Sequence, residues 1–217
     1  MRCKAVVFDM DGTLLDTLED LAEAMNRVLE RQGFPTHPVE SYRRFVGSGA
    51  GQLVARALPA EAQEGSIRRR SLEAFLSEYG ANWKTKTRLY EGISGLLDAL
   101  CSRNLALAVL TNKPQAFAEL CVHEFLSGWP FGLILGQQPG VPVKPDPTAP
   151  RQLLRYLGVL PEEVLYLGDT DVDMFTAVNA GMYPIGVLWG FRTGEELRMA
   201  GARETIAHPM ELMRILG

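Results

Sequence analysis

Two aspartates stand two residues apart where the first apolar run of the chain ends, in Asp9, Met10, Asp11, Gly12, Thr13. Carboxylates so close repel one another unless something cationic compensates. Magnesium is the natural candidate, because it prefers oxygen ligands and is usually held by one or two carboxylates plus a substrate phosphate. A turn rich in Asp and Gly would use the same residues, so the pair by itself leaves both readings open. A second acidic cluster, Gly168, Asp169, Thr170, Asp171, Val172, Asp173, follows the fourth apolar run. If its strand lies beside the first, about 5 Å away, Asp169 faces Asp9 and Asp11 across one pocket. Asp173 also reads as an acid favoured by the dipole at a helix N-terminus, and Asp171 reads as solvent-exposed.

Neutral and basic groups complete the set. The second apolar run ends in Thr111, Asn112, Lys113, Pro114. Pro114 suits the first turn of a helix whose N-terminus presents backbone N–H groups to an anion. Thr111 either donates its hydroxyl to a phosphate oxygen or caps that helix. Lys144 stands in Val-Pro-Val-Lys-Pro-Asp-Pro, where flanking prolines fix the backbone around a lone lysine. Together these residues offer what phosphoryl transfer requires: a nucleophile, a proton donor, a metal site, and cations or hydrogen-bond donors for the equatorial oxygens. His37, His123 and His208 stand away from strand ends and receive no catalytic role. Trp189 to Arg192 follow the last apolar run and could border the pocket, with the aromatics packing on the core.

The elements that must position these residues alternate. Apolar runs at residues 3–8, 105–110, 133–135, 164–167 and 185–188 read as buried strands. Helical spacings fall between them, as in Ile93, Leu96, Leu97, Leu100 and again in Phe117, Leu120, Cys121, Phe125. That alternation predicts an α/β fold, a doubly wound parallel sheet with ligands outside the carboxyl ends of its strands. Residues 15–85 break the pattern and read as an all-helical insertion between core segments 1–14 and 86–217. It opens on Thr17 and Asp20 as a capping pair, and Gly47 to Gly51 form a flexible break. Pro139 to Pro150 read as a rigid loop leading into a helix.

Composition narrows the class. With 47% hydrophobic and 22% charged residues the chain matches globular averages, and no stretch approaches the roughly 20 apolar residues of a membrane span. Met1, Arg2 and Lys4 precede only a short apolar stretch, unlike a signal peptide, so the expectation is a cytoplasmic protein with no membrane partner. Cys3, Cys101 and Cys121 are odd in number and lack CxxC spacing, which argues for reduced, mostly buried thiols. The net charge is -4, and the one basic run, Arg68 to Arg70, has no interleaved aromatics. It reads as a solvated helix face, and nucleic acid is not an expected partner.

Asp9 to Thr13, Thr111, Lys144 and Gly168 to Asp173 resemble, in order, the four motifs of the haloacid-dehalogenase-like hydrolase superfamily. The helical insertion resembles its cap. The resemblance spans nearly the whole chain and implies a Rossmann-like core. It implies Asp9 as nucleophile and Asp11 as the general acid that later activates water. It further implies Thr111, Asn112 and Lys144 for phosphate binding, and Mg2+ held by Asp9, the backbone carbonyl of Asp11 and Asp169, with Asp173 in support. An acid at position 11 points to phosphoryl transfer rather than dehalogenation. Members similar to phosphoglycolate phosphatase close such a cap over a small phosphorylated metabolite. A phosphomutase resembling beta-phosphoglucomutase would share every motif, and a non-catalytic binding protein on the same fold is the third reading. A monomer or homodimer is expected.

Overall fold

Four apolar residues without exposed surface, Ala5–Phe8, make β1 the buried centre of a sheet. The computed structural model describes residues 3–217; Met1 and Arg2, used above in judging the N-terminus, lie outside the described residues. Strands β2 (Leu15–Asp16) and β3 (Arg88–Leu89) form a two-stranded ribbon, while β4 (Ala106–Pro114), β5 (Phe131–Gln137), β6 (Val164–Gly168), β7 (Tyr183–Val187) and β8 (Glu204–Ile206) join β1. The six-stranded order is β5-β4-β1-β6-β7-β8, and every pairing is parallel. Parallel neighbours need crossovers, and helices supply them. The chain divides into two compact units, one running through Leu15 and resuming from Leu89 to Gly217, the other spanning Asp16–Arg88.

In the sheet-bearing unit the helices are α5 (Ile93–Ser102), α6 (Gln115–Phe125), α7 (Thr148–Leu157), α8 (Asp171–Ala180), α9 (Gly194–Met199) and α10 (Leu212–Leu216). Val7, Ala108, Leu110 and Tyr166 from three strands pack with Leu153, Leu154 of α7 and Ala177 of α8 in one apolar cluster. Ile93, Leu96, Leu97 and Leu100 bury one face of α5, as their spacing predicts. β8 was not anticipated: its residues, Glu-Thr-Ile, carry no apolar run, and pairing with β7 alone makes it a strand.

The inserted unit is helical: α1 (Leu18–Arg31), α2 (Tyr42–Phe45), α3 (Ala50–Ala57) and α4 (Gly65–Asn82). Two local expectations fail here. Thr17 makes no side-chain cap. Asp20 instead accepts from the backbone N–H of Lys86 at 3.0 Å, that of Thr87 at 2.8 Å, and the Thr87 hydroxyl at 2.7 Å. Several donors converging on a buried carboxylate outbid one helix-end N–H. The glycine-rich break is also shorter than expected, since Ala50 and Gly51 already belong to α3; Gly47 and Gly49, with φ of 116° and 86°, form the turn. Arg69 and Arg70 are exposed on α4, and Arg68 donates to the Gly51 carbonyl at 3.1 Å. Among the described residues no helix is long and apolar enough to cross a membrane, and the cysteines are free, Cys121 being buried.

Candidate active site

The sheet order decides which residues meet. β1 runs between β4 and β6, so the carboxyl ends of three adjacent strands deliver Asp9, Thr111 and Asp169 to one edge. The Asp9 N–H still donates to Leu167 of β6 at 2.9 Å, so the aspartate is fixed by the last ladder bond rather than by a loose loop. Its side chain is buried, as are those of Asp169, Asp173, Lys113 and Lys144.

Lys144 is the cation at the centre. Its Nζ lies 3.0 Å from Asp9 Oδ1 and 2.7 Å from Asp173 Oδ1, and donates to the Leu110 carbonyl at 3.1 Å and the Tyr166 hydroxyl at 2.9 Å. The Asp9 oxygen has no aligned hydrogen bond, so its link to Lys144 is chiefly coulombic. Asn112 clasps the Lys144 backbone from both sides: its carbonyl accepts from Lys144 N–H at 2.8 Å and its amide donates to Lys144 O at 3.2 Å. Thr111 lies in β4 rather than at a helix end, and its hydroxyl accepts from Lys113 N–H at 3.2 Å. The N-cap reading of Thr111 is therefore overturned. Pro114 takes the cap position of α6, one residue ahead of the turn expected for it.

Asp173 serves two partners. Oδ1 meets Lys144, while Oδ2 accepts from the N–H and hydroxyl of Thr170 at 3.0 and 2.6 Å, closing a capping box on α8. Asp169 accepts from the Thr13 hydroxyl and from Phe191 N–H, both at 2.9 Å. Glycines make room for it: a Cβ on Gly12 would stand 2.3 Å from its Oδ2, and one on Gly190 2.2 Å from its Cβ. Asp171 is about half exposed, 3.7 Å from Arg192. Asp11 is paired with Lys113 at 2.8 Å.

Four carboxylates thus face two ammonium groups. Burial, and then the charges of Asp173 and Asp11, push the Asp9 carboxyl up to about 7 against the downward pull of Lys144. Burial, then Asp173 and Asp9, push Asp169 up as well. Burial alone would lower Lys144, but Asp173 and Asp9 raise it. Burial is the larger cause and the crowding of like charges adds to it, so a cation placed among these carboxyls would favour their ionised forms. Asp9, Asp169 and Asp173 each offer an oxygen, all within 4.8 Å of one another. An all-oxygen, anionic donor set of this kind fits a hard divalent cation.

The structure brings Asp9, Asp169, Asp173 and Lys144 together, with Thr111 and Asn112 on the adjoining strand. The sequence reading assigned no role to Lys113, Tyr166 or Thr13, and took Phe191 as an aromatic packing on the core beside the pocket. Tyr166 did carry a signal, because a hydroxyl inside an apolar strand must find a partner; Phe191 acts through its backbone, which leaves no trace in residue type. Trp189, read as core packing, donates its indole N–H to the Thr13 carbonyl at 2.9 Å. The three histidines stay outside the constellation: His37 bonds the Ala57 carbonyl, and the His208 ring accepts from Met210 N–H.

Comparison with known proteins follows the same line. The profile of the haloacid dehalogenase-like hydrolases matches residues 6–187. A phosphoglycolate phosphatase from Psychrobacter arcticus is 31% identical over 94% of this chain and 91% of its own. One from Pseudomonas fluorescens is 33% identical over 89% of this chain and 72% of its own. The crystal structure of a candidate phosphoglycolate phosphatase from Lactobacillus delbrueckii superposes with a TM-score of 0.93 at 32% identity, over 100% of this chain and 99% of the other.

Proposed function

The chain belongs to the haloacid dehalogenase-like hydrolase family and is a phosphatase; from that premise we propose that it hydrolyses a small organic phosphate monoester, phosphoglycolate-like or a sugar phosphate, with Asp9 as nucleophile and Mg2+ as cofactor. The observation that carries this reading is the Asp9 carboxylate, buried at the end of the central strand, with an ammonium 3.0 Å from one oxygen and no aligned hydrogen bond to it. An anion held that way keeps a lone pair for attack.

Asp173 has both oxygens engaged, by Lys144 and Thr170. In this reading Asp9 and Asp169, with the backbone carbonyl of Asp11, would hold magnesium, and Asp173, tied to the Lys144 ammonium, would support them. When bound, the ion would neutralise charge on the carboxylates and on phosphoryl oxygens. Thr111 and Lys144 hold the phosphoryl group, and Asn112 contributes by fixing the Lys144 backbone. An Asp9 oxygen forms a bond to phosphorus as the ester oxygen leaves, and Asp11 gives that oxygen its proton. Asp11, now a carboxylate, takes a proton from water, whose oxygen attacks phosphorus. The acyl phosphate bond breaks, inorganic phosphate departs and Asp9 returns as carboxylate.

The test is phosphate release from phosphoglycolate, sugar phosphates and nucleotides with and without MgCl2, coupled to borohydride trapping of the acyl phosphate. Magnesium-dependent release with label at Asp9 is expected. Release that ignores magnesium, or a trapped adduct elsewhere, would overturn the mechanism.

A further inference from the structure

Tyr166 has no part in the steps above, yet its hydroxyl touches the cation beside Asp9. The ring packs with Val7, Ala108, Leu110 and Leu153, and the residue has no exposed surface. Phenylalanine would fill that place without a hydroxyl to desolvate, so the oxygen itself calls for a cause. It accepts from Lys144 Nζ at 2.9 Å. Its one proton goes to the Leu110 carbonyl at 3.0 Å or to Asp173 Oδ1 at 3.2 Å.

The ammonium of Lys144 has three N–H donors. Four oxygens stand within reach of it: Asp173 Oδ1 at 2.7 Å, the Tyr166 hydroxyl at 2.9 Å, Asp9 Oδ1 at 3.0 Å and the Leu110 carbonyl at 3.1 Å. The bonds to Asp173, Tyr166 and Leu110 are aligned, and the contact with Asp9 is not. Three donors thus meet three acceptors, and the oxygen left out belongs to a carboxylate, ordinarily a stronger acceptor than a hydroxyl or a carbonyl. Distance does not account for this, since the Leu110 carbonyl lies farther from Nζ than Asp9 does. Direction does, because the neutral oxygens of Tyr166 and Leu110 stand where the N–H bonds point. A hydrogen bond from Lys144 would tie up the Asp9 lone pair that has to attack phosphorus, and would have to break first.

Resting on the reading of Asp9 as nucleophile, we infer that Tyr166 is a positioning residue: its hydroxyl draws one Lys144 N–H away from Asp9 Oδ1 and so keeps that oxygen bare for attack. Tyr166→Phe keeps the ring and frees that N–H, which turns to Asp9. The test is rapid-quench measurement, with MgCl2, of acyl-phosphate formation. Its substrate is whichever of phosphoglycolate, sugar phosphates and nucleotides the native chain hydrolyses fastest. The amplitude counts working sites, and the rate constant reports the attack. Tyr166→Phe should keep the amplitude and lower the rate constant roughly tenfold to a hundredfold, the worth of one hydrogen bond to a charged group. An amplitude that falls while the rate constant holds marks a merely structural hydroxyl and overturns the inference, as does a variant equal to the native chain. Crystals of the native chain grown with MgCl2 test the same point without a variant. There Nζ should stay within about 3.2 Å of the Tyr166 hydroxyl, and an Nζ that has left it for an aligned bond to Asp9 overturns the inference. Absence of acyl phosphate at Asp9 in the native chain would instead sink the proposed reaction, and the inference with it.

Discussion

Lowering the pH from 8 to 5.5 should weaken magnesium binding by about 30-fold or more. The Asp9 carboxyl sits near 7, raised from its ordinary 3.8 by burial and by Asp173 and Asp11. Magnesium takes the carboxylate form, so at pH 5.5 a proton must first leave, and only about one Asp9 in thirty is ionised there. Asp169 is raised as well, so it can only steepen the dependence. The same shift sets the sign of the metal-free stability. A carboxyl whose folded value lies above its unfolded value favours the folded state at low pH and loses that contribution as pH rises through about 4 to 7, a loss of about 4 kcal/mol by pH 8. Lys144, raised above 10.5, keeps its contribution across this window. Metal-free protein should therefore melt at lower temperature at pH 8 than at pH 5.5, with MgCl2 raising Tm more at pH 8. Titration calorimetry in buffers of different ionisation enthalpy measures both the affinity and the proton released. A dissociation constant steady within about twofold, with no proton release, would refute this coupling of proton and metal.

Asp9→Asn should lower kcat by roughly three orders of magnitude or more, with circular dichroism unchanged and metal-free Tm at pH 8 equal or higher, because a buried charge is gone; retained turnover would remove Asp9 from the mechanism. Gly190→Ala puts a Cβ 2.2 Å from that of Asp169 and 2.5 Å from the Gly12 carbonyl. It should cost about 1–3 kcal/mol in urea unfolding and weaken magnesium binding, whereas unchanged affinity would mean that Asp169 does not hold the ion. Asp20→Ala strips the acceptor from Lys86 N–H and from Thr87 N–H and hydroxyl, and should cost about 3 kcal/mol; a loss below about 1 kcal/mol would mean that water replaces those bonds.

What the sequence revealed depended on how local its cause was. β1, β4 and β6 were legible because strands buried on both faces must be apolar throughout, and the polar residues that interrupt them mark strand ends. The helices of the insertion were legible from spacing, as in Leu18, Leu21, Met25, Val28 and Leu29 on one face of α1. Contacts made across long stretches of chain were not. Asp20 resembled a capping residue until Lys86 and Thr87 supplied better donors, 66 and 67 positions away. Phe191 reaches Asp169 through a backbone N–H, and Trp189 reaches Thr13 across 176 positions. β8 is a strand only because β7 offers an edge.

Asp173 shows why the two readings of a motif residue need not exclude each other. Read as an N-terminal helix acid, it should bond backbone and hydroxyl donors at the start of α8, and Oδ2 does so through Thr170. Read as support for the site, it should hold Lys144, and Oδ1 does so at 2.7 Å. Gly168 makes both reachable, since a Cβ there would stand 2.2 Å from that of Asp173. One carboxylate thus fastens the helix that follows β6 to the ammonium beside Asp9. An amide at position 173 could keep one of these bonds but would remove the charge that balances Lys144. Helix start and the Lys144 ammonium are therefore coupled through one side chain, and a change that loosens α8 is felt at Asp9.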